Sequence, residues 1–111
     1  MDFQELSQRA MSIREQYRAY EKKRYGSEWS NEELALGFVG DVGDLVKLVM
    51  AANGRRNIPD ARDKLAHELS DCLWSVIILA ESHGVNLEEA FLKTMDELET
   101  WIRTRGGGEG I

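Results

Sequence analysis

The sequence predicts an all-α protein of four helices in a single domain. Two observations carry that prediction. Apolar residues recur at intervals of three and four rather than two, and recognisable helix starts and stops bracket each such segment. In the first segment Phe3, Leu6, Ala10, Ile13, Tyr17 and Tyr20 form one stripe, closed by the cations Lys22, Lys23 and Arg24 and then Gly26. Ser30 and Glu33 have the spacing of a capping box and open a second helix that runs to Asn53-Gly54. After a short polar linker and Pro59, a third helix is expected from about Asp60 to His83, ending at Gly84. Asn86 and Glu89 open a fourth, with Leu87, Phe91, Met95, Leu98 and Trp101 along one side. Residues 1–105 form the domain, and the glycine-rich residues 106–111 are expected to be a flexible tail.

The third helix is unusual. From Cys72 to Ala80 it is apolar nearly all round, with Ser75 the exception. A helix without a polar face in so small a domain predicts a partner from a second copy. A dimer or tetramer assembled through the second and third helices is expected, with Ile77 at the interface.

Composition narrows the function. The chain has 111 residues, 42% hydrophobic and 31% charged, with a formal net charge of −6. That acidity argues against binding a DNA or RNA polymer through its phosphates. The lone Cys72 cannot form an internal disulfide, and the N-terminus lacks the basic start and apolar stretch of a signal peptide. The uncharged run from Cys72 to Ala80 is only about half a membrane span. A cytoplasmic protein without a membrane partner is expected.

Two pairs of carboxylates stand out. Asp41 and Asp44 lie at i and i+3 on the second helix, and Glu68 and Asp71 repeat that spacing on the third. Each pair projects from one helix face with Cβ atoms about 5–6 Å apart. Like charges so close on apolar helices need compensation. Lys47 and Lys64 can supply it, and so can a hard divalent ion such as Mg²⁺, which prefers carboxylate oxygen and keeps positions open for phosphate. A plain solvated stripe with ordinary salt bridges remains open at this point.

The order D-x-x-D, a 23-residue gap and E-x-x-D resembles the MazG-like all-α nucleotide pyrophosphohydrolases, whose signature is E-E-x-x-E followed by E-x-x-D. Asp41-Val42-Gly43-Asp44-Leu45 is similar to the family's E-V-G-E-L. His67-Glu68-Leu69-Ser70-Asp71-Cys72-Leu73-Trp74 is similar to its E-E-L-A-D-V-L-W, and Gly84-Val85-Asn86-Leu87-Glu88-Glu89-Ala90 to its G-I-D-L-E-E-A. The resemblance spans about Asn31 to Leu98. It implies a four-helix MazG-like bundle that cleaves a nucleoside triphosphate between the α and β phosphates. It further implies that Asp41, Asp44, Glu68 and Asp71 are catalytic and hold Mg²⁺, or Mn²⁺, against those phosphates. The first pair is aspartate where the family has glutamate, so its helix must approach the ion more closely. Gly37, Gly40 and Gly43 are expected to permit that approach. Gly40 stands in the place of the signature's leading acid, and Thr94 and Leu98 stand where many members carry phosphate-binding residues.

Lys47, Lys64, Arg55 and Arg56 are the candidate contacts to the phosphate tail, against the plainer reading of solvated cations. Trp74, three residues beyond Asp71, is the best candidate to stack on a base, ahead of Trp29 and Tyr25, whose plainer role is packing. His67 lies about 100° round the helix from Glu68, which argues against a shared metal. His83 is expected at a helix C-terminus. A di-iron bundle is rejected, because Lys64 and Ala80 stand three residues before the two histidines where E-x-x-H would need glutamate. Two alternatives share the architecture: a phosphoribosyl-ATP-type pyrophosphohydrolase, and a non-catalytic helical oligomer that binds nucleotide or a partner.

Overall fold

The computed structural model describes residues 1–105, in which four helices follow one another: α1 (Phe3–Tyr25), α2 (Asn31–Ala52), α3 (Ala61–Ser82) and α4 (Leu87–Thr104). Among these residues there is no strand. The glycine-rich tail falls outside the described residues. No helix is long and apolar enough to cross a membrane among the residues described.

The helix ends follow the local chemistry. Ser30 Oγ accepts from the Glu33 amide at 3.1 Å, while the Glu33 carboxylate accepts from the Ser30 amide at 2.9 Å. Asn86 caps α4 through the Glu89 amide at 3.1 Å. Gly26, Gly54 and Gly84 follow α1, α2 and α3 at φ of 82°, 77° and 68°, a conformation that is costly with a Cβ. His83 sits at the end of α3 with Nδ1 2.7 Å from the Leu79 carbonyl. A further capping box, Asp2 with Glu5, opens α1 and was not among the sequence expectations. Asp60, expected to begin the third helix, is its N-cap instead, in a left-handed conformation and without a side-chain cap.

α3 is the central element, with α2 packed along it, α1 across it and α4 touching it lightly. Ile77 and Ile78 of α3 and Ala10 of α1 make the buried apolar cluster, joined by Phe3, Met11, Leu34, Trp74 and Leu87. The indole of Trp74 donates to the Ala10 carbonyl at 3.2 Å and ties α3 to α1. Ile77 therefore belongs to the core of one chain and is not an interface residue. The apolar run of α3 divides: Ile77 and Ile78 turn inward, whereas Leu73 and Val76 remain exposed.

The inner face of α1 also differs from the apolar stripe. Ser7, Ala10, Arg14 and Glu21 are its buried residues, whereas Leu6, Tyr17 and Tyr20 are exposed. The helix is rotated by about one position, because the Arg14–Glu21 ion pair takes the inward line. α4 does not close the bundle. It buries no residue and leaves Phe91, Leu92, Met95 and Ile102 exposed. The radius of gyration is 17.4 Å, against about 13 Å for a compact chain of this length.

Candidate metal and nucleotide site

The α2–α3 pair decides which residues meet. Asp44 faces Glu68, while Asp41 and Asp71 line one cavity, so the helices run antiparallel with the two acidic turns in register. One carboxylate oxygen from each of Asp41, Asp44 and Glu68 lies within 4.8 Å of the others. At an effective dielectric of about 20, two unit charges at that separation repel by about 3 kcal/mol, and less where one is exposed as Asp44 is.

Glu68 bears most of this strain. Its Oε1 is buried and meets no N–H or hydroxyl donor, and the group within hydrogen-bonding reach of Glu68 is another carboxyl, that of Asp41. Burial raises its pKa above the usual glutamate range, and Asp41, Asp71 and Asp44 push it further the same way. Lys47 Nζ lies 3.9 Å from Asp44 Oδ1, with both side chains exposed. Such a contact is worth at most about 1 kcal/mol and does not neutralise three carboxylates. A shielded oxygen without a donor, inside a set of hard oxygen ligands, fits a divalent cation of the Mg²⁺ type.

Asp71 stands apart from the three. Its Oδ2 is 3.2 Å from Nε2 of His67, one turn earlier on α3. His67 thus reaches the acidic group through Asp71 and not through its sequence neighbour Glu68. The glycines do not serve a close approach. A Cβ at Gly40 or Gly43 would meet nothing within 4 Å, and one at Gly37 only the Trp29 ring at an ordinary 3.9 Å. The shorter aspartates reach Glu68 without help from missing side chains on α2.

The acidic cluster separates two cavities of different character. One, of about 530 Å³, is walled by Tyr17, Tyr20, Tyr25, Trp29, Leu34 and Trp74, with Asp41 and Asp71 at its edge. The Tyr17 and Trp74 rings meet edge-on at 6.0 Å. The other, of about 420 Å³, carries Lys47, Lys64, His67, Asp63, Asp44 and Glu68. Trp74, Lys47 and Lys64 therefore adjoin the acidic cluster. Arg55 and Arg56, in the connection after α2, line neither cavity. The share of α1 in the aromatic cavity escaped the sequence reading. The signal was present as Arg14 and Glu21, seven residues apart on one face of a helix otherwise read by its apolar residues.

The family model of the MazG nucleotide pyrophosphohydrolase domain matches residues 30–102. The chain belongs to this family. The matched span begins at the cap of α2 and holds both acidic turns, so the MazG domain contains the whole cluster, while α1 and its part of the aromatic cavity lie before it. No curated protein and no solved structure matches the chain.

Proposed function

We propose that this MazG protein is a Mg²⁺-dependent nucleoside triphosphate pyrophosphohydrolase. It adds water across the α–β phosphoanhydride and releases nucleoside monophosphate and pyrophosphate. The observation that carries the reading is the position of Asp41, Asp44 and Glu68 between an aromatic cavity and one bearing lysines. That order suits a nucleotide, with a flat apolar base at one end and a polyanionic tail at the other. Family membership supports the class of reaction.

Asp41, Asp44 and Glu68 would hold the ion, and Asp71 has one oxygen not engaged by His67 with which to join them or hold the attacking water. When bound, Mg²⁺ or Mn²⁺ supplies positive charge against the phosphate oxygens. The aromatic walls fix the base and sugar, and the two lysines draw the β and γ phosphates to the far side of the cluster. With both ends held, the α-phosphorus is presented to water in one orientation. A chain of net charge −6 accepts such a substrate only at a site where cations reverse the local field.

The chain works as a homo-oligomer in this reading. Leu36, Val39, Val46 and Met50 on α2 and Leu69 and Leu73 on α3 are exposed, apolar side chains that packing against a second copy would remove from water. The unpaired Cys72 suits the reducing cytoplasm.

The test is a panel of ordinary and modified nucleoside triphosphates, with phosphoribosyl-ATP included, scored for pyrophosphate release with Mg²⁺ or Mn²⁺. Turnover of a triphosphate is expected, with loss of at least about a hundredfold in Asp41→Asn and Glu68→Gln. Millimolar metal should also raise the melting temperature of the unmodified protein by several degrees, and of neither variant. At ten times its dissociation constant an ion adds about 1.4 kcal/mol to the folded state. A melting temperature indifferent to metal overturns the metal site and the hydrolase with it. A rise without turnover of any substrate favours the binding protein, to which Gly40 in the place of an acid already points.

A further inference from the structure

The aromatic cavity rests on a buried ion pair that the reaction as described does not use. Arg14 is 1% exposed and Glu21 6%. Arg14 Nη1 donates to Glu21 Oε1 at 3.2 Å and to Oε2 at 3.1 Å. Two further hydrogen bonds converge on Trp29, while Arg14 Nε is buried without a partner. Arg14 Nη2 donates to the Trp29 carbonyl at 3.0 Å, and the Trp29 amide donates to Glu21 Oε1 at 2.9 Å. Both main-chain polar groups of one residue are thus gripped by one ion pair on α1. That residue lies in the connection between Gly26 and Ser30, which has no regular structure of its own. Its indole lines the cavity at whose edge Asp41 and Asp71 stand.

A buried ion pair is a poor way to gain stability. Removing two charges from water costs several kcal/mol, and apolar residues of similar volume commonly hold two elements together as well or better. An apolar pair, however, cannot hold an N–H and a C=O at once. The fork of arginine and the two oxygens of glutamate do so with defined direction. What this pair provides at its particular place is a fixed main-chain conformation at Trp29.

We infer that Arg14 and Glu21 are positioning residues that lock Trp29 as a standing wall of the nucleobase cavity, acting on binding of the base and not on the phosphate chemistry. The inference rests on the reading of that cavity as the base side of a nucleotide site. It extends the substrate site beyond the matched MazG span to α1, whose Arg14 and Glu21 lie in the wall of the cavity and act on the base through the main chain of Trp29.

The test compares the full chain with two variants. Arg14→Met combined with Glu21→Leu removes both charges and leaves none orphaned, and Arg14→Lys keeps the charge without the fork. The first readout needs no ligand. In protein labelled with 5-fluorotryptophan, the Trp29 resonance is assigned by its disappearance in Trp29→Phe. Because Trp29 is already 47% exposed, the signal is mobility: the resonance should narrow in both variants while helix content is kept. An unchanged Trp29 resonance overturns the clamp whatever the enzyme does. The second readout separates base from phosphate. The KM for a nucleoside triphosphate should rise about tenfold with kcat nearly unchanged, as loss of uniform binding requires. Inhibition by inorganic tripolyphosphate, which has no base, should stay as it was. Parallel loss of triphosphate and tripolyphosphate binding overturns the positioning role in favour of general damage. Should the unmodified protein turn over no triphosphate, the hydrolase reading fails alone, and calorimetric titration with a nucleoside monophosphate and with tripolyphosphate takes the place of kinetics. Monophosphate binding lost only in the variants then upholds the inference. No monophosphate binding by the unmodified protein overturns it together with the base side of the site.

Discussion

Glu68 is the residue on which the competing demands of this protein meet. Burial and three neighbouring acids favour its protonated form in the folded state, so its pKa lies above the value it has in the unfolded chain. A carboxyl that holds its proton more tightly when folded contributes stability on the acid side, and that contribution is lost as the pH rises through the raised value. The metal-free protein should therefore lose melting temperature as the pH rises above about 4.3, the ordinary glutamate value. Glu68→Gln should flatten that slope in a calorimetric pH series and be no less stable than the unmodified protein at pH 7. A slope identical in both proteins would mean that Glu68 ionises without cost. The ion has the opposite pH dependence, because it needs the carboxylate, so its thermal stabilisation should be larger at pH 8 than at pH 5. Cys72, on the next turn of α3, shares this environment. Burial and then Asp41, Glu68 and Asp71 push its thiol above the usual range. Since the thiolate is the reactive form, iodoacetamide should modify it more slowly at pH 8 than it does free cysteine.

The helices divide into those held by their own sequence and those held by neighbours. α2 carries its own start in the reciprocal Ser30–Glu33 box. Ser30→Ala should cost about 1 kcal/mol, read as a lower urea midpoint with an unchanged slope. Within the same helix Gly40 and Gly43 face open space, so alanine at either should gain about 1 kcal/mol of helix propensity. If those glycines lie where a second copy packs, Gly43→Ala should instead weaken the assembly, and a sedimentation measurement on the same sample separates the two effects. α3 depends on packing. Ile77 and Ile78 are enclosed by α1 and the start of α4, so Ile77→Ala should cost about 2–5 kcal/mol. Its melting temperature should fall by the same amount at every protein concentration, as a core residue requires and an interface residue does not.

At the scale of the whole molecule, the chain is more extended than a compact domain of its length. Its principal extents are 55 × 40 × 28 Å, and its most amphipathic helix, α4, has no fully buried residue. Exposed apolar stripes on α2 and α4 are surfaces that a second copy would cover. Light scattering at micromolar concentration should give at least a dimer. Val39, 67% exposed, tests the α2 face without touching the core. Val39→Glu should dissociate the assembly and leave helix content intact, because a charge without a partner in a packed interface costs several kcal/mol. A mass of 12.6 kDa for the unmodified protein would exclude assembly and leave the apolar stripes without a role.

The sequence by itself determined the four helices, nearly all of their ends and the acidic turns. Each is encoded within a few residues: Ser30 with Glu33, Asn53-Gly54, Asp41 with Asp44, Glu68 with Asp71. The short connection after α2 also leaves α3 little choice but to return antiparallel along it. What lies far apart in sequence was not legible. The separation of Asp71 from the other three carboxylates and the inward turn of Ile77 depend on side-chain direction against a neighbouring helix. Apolar periodicity likewise gave α1 a face one position away from the one it buries, since a count of apolar residues cannot see an ion pair that satisfies itself inside the protein. Local hydrogen bonding and spacing therefore settled where each helix lies along the chain. Only packing decided how each is turned about its axis, and with it which residues line the cavity beside the carboxylates.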